Sequence, residues 1–399
     1  MSLRSSILCA MLIIGLSTPL LLADEDQGAT SVQPTEVESL LKQYADSQEK
    51  YEDAIAKAKT REDRQQVKLL LQPKPVPDAS RFLDWAKLHP TDDRAADVLM
   101  LIVVTGGKTE PAARAVNLLA EQHLDLDGDR FFKVAPSVFN AVEADEADRW
   151  MRKFADDGSL RQTRAVALFL LGRFKAGLAR VAELIKNPQF AEVIKQGNDK
   201  EVLERVRNLD VTATNHEAEL LFEELISKYP EVEFHGRRLI ELAKPEYFAV
   251  SKLAIGKPAP EITGQDLAGA PFLLSDYRGK VVVLCFWGTW CAPCMKMVPH
   301  HKELISRYKD APFAFLGIAT DQDKEKLDSV IKSEGITWRS WWDGGDTGSP
   351  ISTTWAIKSW PAIFVLDHHG IIRHKDLYQE ELGETVAALL EKVNEKQAN

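Results

Sequence analysis

The sequence predicts a two-domain protein, an all-α, helical-repeat-like N-terminal domain followed by an α/β domain, and three observations predict it. From about Ser39 to Tyr247 apolar residues recur with helical period and strand-like runs are almost absent. Ile255-Gly-Lys-Pro-Ala-Pro260 is too rich in Gly and Pro to continue a helix and marks a boundary. Beyond it, β-branched and aromatic runs alternate with helical ones, the pattern of a central sheet with helices on both faces. A chain of 399 residues exceeds the usual size of one core, so the expected division is a processing segment at 1–23, a helical domain at 24–250 and an α/β domain at 251–399.

The first segment reads as a targeting signal. Arg4 is followed by an apolar stretch from Ile7 to Leu22, then Ala23 and the acidic run Asp24-Glu25-Asp26, the order of a secretory signal peptide. The stretch is shorter than the ~20 residues that span a bilayer and contains Ser17, Thr18 and Pro19. Cleavage near Ala23 and export to a periplasmic or other extracytoplasmic space are therefore expected; left uncleaved, the stretch would be an N-terminal membrane anchor.

In the helical region Phe82, Trp85, Ala86 and His89 fall at i, i+3, i+4 and i+7 on a helix expected to end at Pro90. Leu220, Leu221, Phe222, Leu225 and Ile226 form a second such face, ending before Tyr229-Pro230. The like endings Lys87-Leu-His-Pro90 and Ser227-Lys-Tyr-Pro230 hint at helix-turn-helix repeats of the tetratricopeptide kind. Lys74-Pro-Val-Pro77 breaks the region once. Asp125-Leu-Asp-Gly-Asp129 has the composition of a calcium loop, but Arg130 stands where the turn needs Gly and Pro136 where a bidentate Glu belongs, so it reads as an acidic turn between helices.

After the boundary, Val281 to Trp287 reads as a buried strand, Cys294 to Lys309 as a helix and Phe313 to Ala319 as a second strand. Asp323 to Glu334 is a further helix, Ala362 to Asp367 and Gly370 to His374 a hairpin, and Glu380 to Asn394 a closing helix. With 45% hydrophobic residues, 28% charged residues and a mean hydropathy of -0.23, the chain can bury ample core. A formal charge of -10 argues against nucleic acid as a partner.

Cysteine usage points to chemistry rather than to a framework. Of four cysteines, Cys9 would leave with the signal peptide, and Cys285, Cys291 and Cys294 lie within ten positions instead of being spread as staples. Gly288-Thr-Trp-Cys291-Ala-Pro-Cys294 directly follows a buried strand and opens a helix. There, unpaired backbone N–H groups and the helix dipole favour a thiolate on Cys291, while Cys294 sits one turn further in. Cys291 is expected to attack a partner disulfide and Cys294 to resolve the mixed disulfide.

The segment Gly279-Lys-Val-Val-Val-Leu-Cys-Phe-Trp-Gly-Thr-Trp-Cys-Ala-Pro-Cys294 resembles the TlpA/ResA-type thioredoxin-like oxidoreductases, as do Gly256-Lys-Pro-Ala-Pro260, Leu274-Ser-Asp-Tyr-Arg-Gly279 and Ser359-Trp-Pro-Ala-Ile-Phe-Val-Leu-Asp-His-His-Gly370. The resemblance covers about residues 255–392 and says nothing of the helical half. It implies a thioredoxin-like fold, extracytoplasmic thiol reduction such as that serving cytochrome c maturation, a cis Pro361 whose loop packs against the Cys pair and receives substrate, and a helix kinked at Pro299. The Ala292-Pro293 pair resembles reducing members more than oxidising ones. Two departures stand out: Met297 where many relatives carry a Glu, and Cys285 where thioredoxin has a buried Asp. Asp321, at the end of the next strand, is then a candidate for moving the Cys294 proton, and Cys285 reads as inert core.

Seven of the nine tryptophans lie in this last third. Trp290 and Trp360 flank the Cys pair and the proline loop as an apolar docking rim for substrate, whereas Trp338, Trp341, Trp342 and Trp355 read as packing. His300 and His301 invite a metal reading, but His301 lies two helical turns from Cys294, about 10 Å away, too far to share an ion. No metal and no cofactor are expected. The expected partners are protein thiols or disulfides, an unidentified electron donor or acceptor, and a protein partner at the helical domain, which would select or position substrate. The competing readings are a thiol peroxidase, which wants Thr where Gly288 stands, and an interaction scaffold carrying a redox module.

Overall fold

Helical periodicity governs the first part of the chain, and the structure, a computed structural model, describes residues 32–185, 200–344 and 350–397. The expected signal peptide, its cleavage position at Ala23 and Cys9 lie outside the described residues. Helices α1 (Pro34–Lys57), α2 (Arg61–Leu71), α3 (Ala79–Leu88), α4 (Asp93–Gly106), α5 (Glu110–Gln122), α6 (Gly128–Ala141), α7 (Ala144–Asp157), α8 (Arg161–Leu184), α9 (Lys200–Arg207), α10 (Val211–Lys228) and α11 (Leu239–Lys252) follow one another, broken by the short hairpin β1 (Glu233–Phe234) and β2 (Arg237–Arg238). No helix among the described residues is long and apolar enough to cross a membrane.

The 24-residue α8 is the axis of this half, with α6, α7, α10 and α11 packed around it. Phe131 of α6 stacks on Trp150 of α7 at 5.2 Å and touches Phe154 at 4.9 Å, all three buried, and the Trp150 indole donates to the Val116 carbonyl at 2.9 Å. Two details differ from the expected faces. Leu220 is 51% exposed, and His89 is exposed beyond the end of α3 with its ring stacked on Trp85 at 5.1 Å. The acidic turn is a cap: Asp127 Oδ1 accepts the Arg130 N–H at 2.8 Å and satisfies a free donor at the start of α6.

The second part is an α/β domain around a five-stranded sheet. Strands β5 (Val281–Trp287), β6 (Phe313–Ala319), β7 (Arg339–Trp342), β8 (Ala362–Leu366) and β9 (Ile372–Lys375) lie in the order β7-β6-β5-β8-β9. β5, β6 and β7 are parallel; β8 and β9 are antiparallel to their neighbours. The hairpin β3 (Thr263–Gln265) and β4 (Pro271–Leu273) and the strand β7 lacked a signal in the sequence because each is short.

Every residue of β5 is buried because its alternate side chains feed two cores. Val281, Val283, Cys285 and Trp287 pack with α12 (Ala292–Arg307), α13 (Lys324–Glu334) and α15 (Gln379–Gln397). Val282, Leu284 and Phe286 pack under the β3–β4 hairpin, Trp341, Trp355 and Leu253. The three longer helices therefore share one face. The other is closed by the hairpin, the short α14 (Pro350–Thr354) and the end of α11, which differs from the even helical cover the sequence suggested.

His301 belongs to the first of these cores. It is 2% exposed, packs on Phe315 at 4.6 Å and Trp338 at 5.8 Å, and burial, reinforced by the charge of His300, pushes its pKa down to about 3. The imidazole is thus neutral in the fold while the unfolded chain takes up a proton near 6.5. The unfolded state binds more protons between these values, so stability present above pH 6.5 is lost as the pH falls toward 3, by about 1.4 kcal/mol per unit from this group. In urea titrations at about pH 7 and about pH 4.5, His301→Phe should remove this slope; an unchanged slope would place the imidazole in water.

Candidate functional site

The carboxyl ends of β5 and β6 build the site, the place where parallel sheets open a crevice for ligands. Thr320, just past β6, donates from both its N–H (3.0 Å) and its hydroxyl (3.1 Å) to the Trp287 carbonyl and ties the two strand ends together. The chain then turns through Gly288, where a side chain would run into the Trp290 indole at 2.5 Å. The Cys291 N–H closes this turn on the Gly288 carbonyl at 3.1 Å.

Cys291 is the N-cap residue of α12, with Pro293 in the first turn, where a missing N–H costs nothing. Cys291 Sγ accepts the Cys294 N–H at 3.2 Å. The two sulfurs form a disulfide across a Cα–Cα distance of 5.2 Å, and both residues are buried, Cys291 at 4% exposure and Cys294 at 3%. In the reduced protein this N–H and the helix dipole act on a Cys291 thiolate, lowering the cost of its charge.

Around the pair, Trp290 is 53% exposed and meets Trp360 edge-on at 5.5 Å. The Trp360–Pro361 peptide bond is cis, and Pro361 is buried. The Tyr378 hydroxyl lies 3.5 Å from the Pro361 carbonyl and is held protonated well above the ordinary tyrosine value, chiefly by burial. The structure therefore brings Cys291, Cys294, Trp290, Trp360 and Pro361 into one region.

Asp321 is 4% exposed and turned toward the loop before the cysteines. Its carboxylate accepts the Thr289 N–H at 3.0 and 3.1 Å and the Thr289 hydroxyl as well. Its carbonyl accepts the Trp342 indole N–H at 2.9 Å. Trp342 is accordingly not core packing as the sequence suggested: it is 37% exposed, with the Lys324 ammonium 5.2 Å above its ring. Trp338, Trp341 and Trp355 are buried, in keeping with packing. The Thr289–Asp321 clamp and Tyr378 were missed; a Thr two residues before a reactive Cys and a carboxylate at the adjoining strand end were the available signal.

Cys285 sits in mid-strand between Gly317 and Ile363, and burial pushes its thiol up to about 12, so it is neutral and unreactive as a thiolate at ordinary pH. Met297 is buried in the same core. His300 Nε2 is bonded to the Gln379 carbonyl and His301 faces aromatic rings. Among the described residues no group of three or more His, Cys, Asp or Glu side chains could hold a metal ion.

Comparisons with known proteins match the C-terminal part of the chain. The AhpC/TSA family matches residues 255–375. The thiol-disulfide oxidoreductase ResA of Bacillus cereus is 31% identical over 142 residues, 36% of this chain and 80% of the relative. ResA of Bacillus thuringiensis subsp. konkukian is 32% identical over 145 residues, 36% of this chain and 79% of the relative. Among solved structures, the thioredoxin domain of a thiol-disulfide oxidoreductase from Bacteroides vulgatus is 31% identical and covers 35% of this chain and 99% of its own, with a TM-score of 0.33. The chain thus belongs, through its C-terminal thioredoxin-like domain, to the ResA-type thiol-disulfide oxidoreductases.

Proposed function

We propose that this protein is an exported reductase of disulfides in protein substrates, acting through the Cys291-Ala-Pro-Cys294 site. The observation that carries the reading is the bonded Cys291–Cys294 pair at a helix N-terminus, with the Cys294 N–H aimed at Cys291 Sγ. In the forward reaction the Cys291 thiolate attacks one sulfur of the substrate disulfide. That S–S bond breaks, and the leaving sulfur departs as a thiolate and is protonated. The Cys294 thiol then loses its proton and attacks Cys291 Sγ, the mixed disulfide breaks, and the second substrate thiol leaves. Two electrons have moved to the substrate and the enzyme holds the Cys291–Cys294 disulfide, which a dithiol donor must reduce before the next turn.

Trp290, Trp360 and Pro361 are assigned to substrate contact, since an exposed indole beside the proline loop offers apolar area next to the reacting sulfur. Asp321 is assigned as the acceptor of the Cys294 proton, while its hydrogen bonds to Thr289 hold the loop before the cysteines. The division into a helical domain at 24–250, with tetratricopeptide-like character, and an oxidoreductase domain at 251–399 accords with the separate hydrophobic clusters of the two halves. The helical domain selects or positions substrate. Export rests on the N-terminal sequence pattern. A peroxidase is disfavoured by Gly288 at the position where that chemistry wants Thr and by a partner cysteine already bonded to Cys291.

Three outcomes are expected. Equilibration of the mature protein in thiol buffers should place the Cys291/Cys294 potential near the thioredoxin level of about -270 mV; a value near -120 mV would make the protein a disulfide donor instead. Cys294→Ser should accumulate mixed disulfides with substrate proteins on non-reducing gels while Cys291→Ser forms none, and peroxide turnover that survives Cys294→Ser would favour the peroxidase reading. Asp321→Ala should slow disulfide exchange; an unchanged rate would remove the Asp321 assignment.

A further inference from the structure

A cavity of about 1310 Å3 lies between the helical half and the outer edge of the sheet, larger than the roughly 300–1,000 Å3 of small-ligand sites. Its apolar wall comes from both halves: Phe139, Leu170 and Phe174 on one side, Trp355, Ile357 and Leu377 on the other. Along one flank runs β9, whose Arg373, His374 and Lys375 line the space and whose outer edge is paired at Ile372 with Gly256 and Lys257. Ser359 and Ala362, the residues on either side of the cis Trp360–Pro361 pair, also line it, so the cavity is continuous with the proline loop beside the disulfide.

Two features suggest that this space is kept open for an occupant. Gly172 and Gly177 both lie within α8, where glycine is disfavoured relative to alanine. Packing accounts for Gly172, since a side chain there would meet the Phe222 ring at 2.9 Å. At Gly177 an added Cβ would meet no atom within 4 Å, and Gly177 lines the cavity. Its lack of a side chain leaves volume and serves no contact within the chain.

The second feature is polar. Glu183 Oε1 and Glu381 Oε2 line the cavity as buried acceptors with no hydrogen-bond donor among the described residues. Three ion pairs at the walls cross between the two halves: Lys257 with Glu219 at 3.2 Å, Lys358 with Glu246 at 2.8 Å and Lys375 with Glu183 Oε2 at 3.4 Å. A charged ligand finds no surplus of opposite sign, and a hydrocarbon leaves the acceptors unsatisfied. An extended polypeptide supplies apolar side chains for the wall and backbone N–H groups for the acceptors.

We infer that this cavity binds an extended apolar segment of the substrate polypeptide, and that the segment leads its cysteine to the proline loop. The inference deepens the proposed function and depends on it only for what the bound segment is delivered to. The probes are a short synthetic peptide with a Leu/Val/Phe-rich stretch beside one cysteine in mixed disulfide with glutathione, its cysteine-free analogue carrying a fluorophore, and hydroxyethyl disulfide as a small substrate.

Filling the cavity with Gly177→Trp in the full chain should weaken anisotropy-detected binding of the cysteine-free peptide, and raise KM for the disulfide peptide, by at least about tenfold. Turnover of hydroxyethyl disulfide and the reduction potential should stay unchanged. Gly177→Leu, a smaller filling, should show the same split to a lesser degree and serves if the Trp variant fails to fold. Peptide binding that is absent in the parent protein, or equal in parent and variants, overturns the inference, as does an equal loss toward both disulfides. Saturable peptide binding with no turnover of either disulfide would instead overturn the oxidoreductase reading and leave the cavity assignment standing.

Discussion

The junction of β5 with α12 is the constraint on which the rest of the structure depends. A disulfide reagent needs a sulfur that carries negative charge cheaply yet sits in a folded, partly dry setting, and these demands conflict. The fold reconciles them by ending a fully buried strand one short turn before a helix N-terminus. Cys291 then faces the free N–H groups of the first helical turn, and the Cys294 N–H lies on its sulfur. Buried strand, tight turn and capped helix each need the other two, because a shift by one residue in β5 would exchange its two cores and carry the cysteines away from the helix start.

Holding that turn falls to the neighbouring strand. Thr320 ties the end of β6 to Trp287, and the next residue, Asp321, grips Thr289 through both backbone and hydroxyl. A carboxylate buried at 4% exposure needs donors, and the loop before the cysteines supplies them, so the loop and the acid fix each other. Cys285, deeper in the same strand, shows the contrast. With the same thiol chemistry but no helix N-terminus, burial raises its pKa to about 12. Position relative to backbone donors, more than residue type, separates a reactive cysteine from an inert one.

Much of this was legible in the sequence, for identifiable reasons. β5 and β6 are unbroken apolar runs, and α12 opens on a Cys-x-x-Cys with Pro in its first turn, so patterns local to a few residues were sufficient. The Cys pair and the proline loop were readable because their spacing and neighbours are themselves the motif. Asp321 was singled out, but its grip on Thr289 was not, because 32 residues separate them and only the β5–β6 register brings them together. Trp342 departs from the expected packing for the same reason: composition counts an indole as core, whereas the end of an edge strand leaves it over Asp321 and Lys324. The strands β3, β4 and β7, at three or four residues each, carry too few side chains to show a period.

The helical half bears on the site through the loops it touches. Lys358, two residues before Trp360, pairs with Glu246 of α11, and Lys375, at the end of β9, pairs with Glu183 of α8. Lys375 and Glu183 are both largely shielded, with side chains 22% and 15% exposed, so that pair is screened less than a surface pair and holds its geometry better. Asp376, the next residue, donates its N–H to the Ile363 carbonyl at 2.8 Å, which links the same corner to the strand that follows Pro361. Glu183, Lys375 and Asp376 thus link α8 to the strand that follows the proline loop. An oxidoreductase domain of this kind is complete as a reagent, and what a second domain can add is control over which polypeptide reaches the sulfur and in what pose. The contacts from the helical half reach the residues beside the proline loop, while the Cys pair itself is held by β5, β6 and α12.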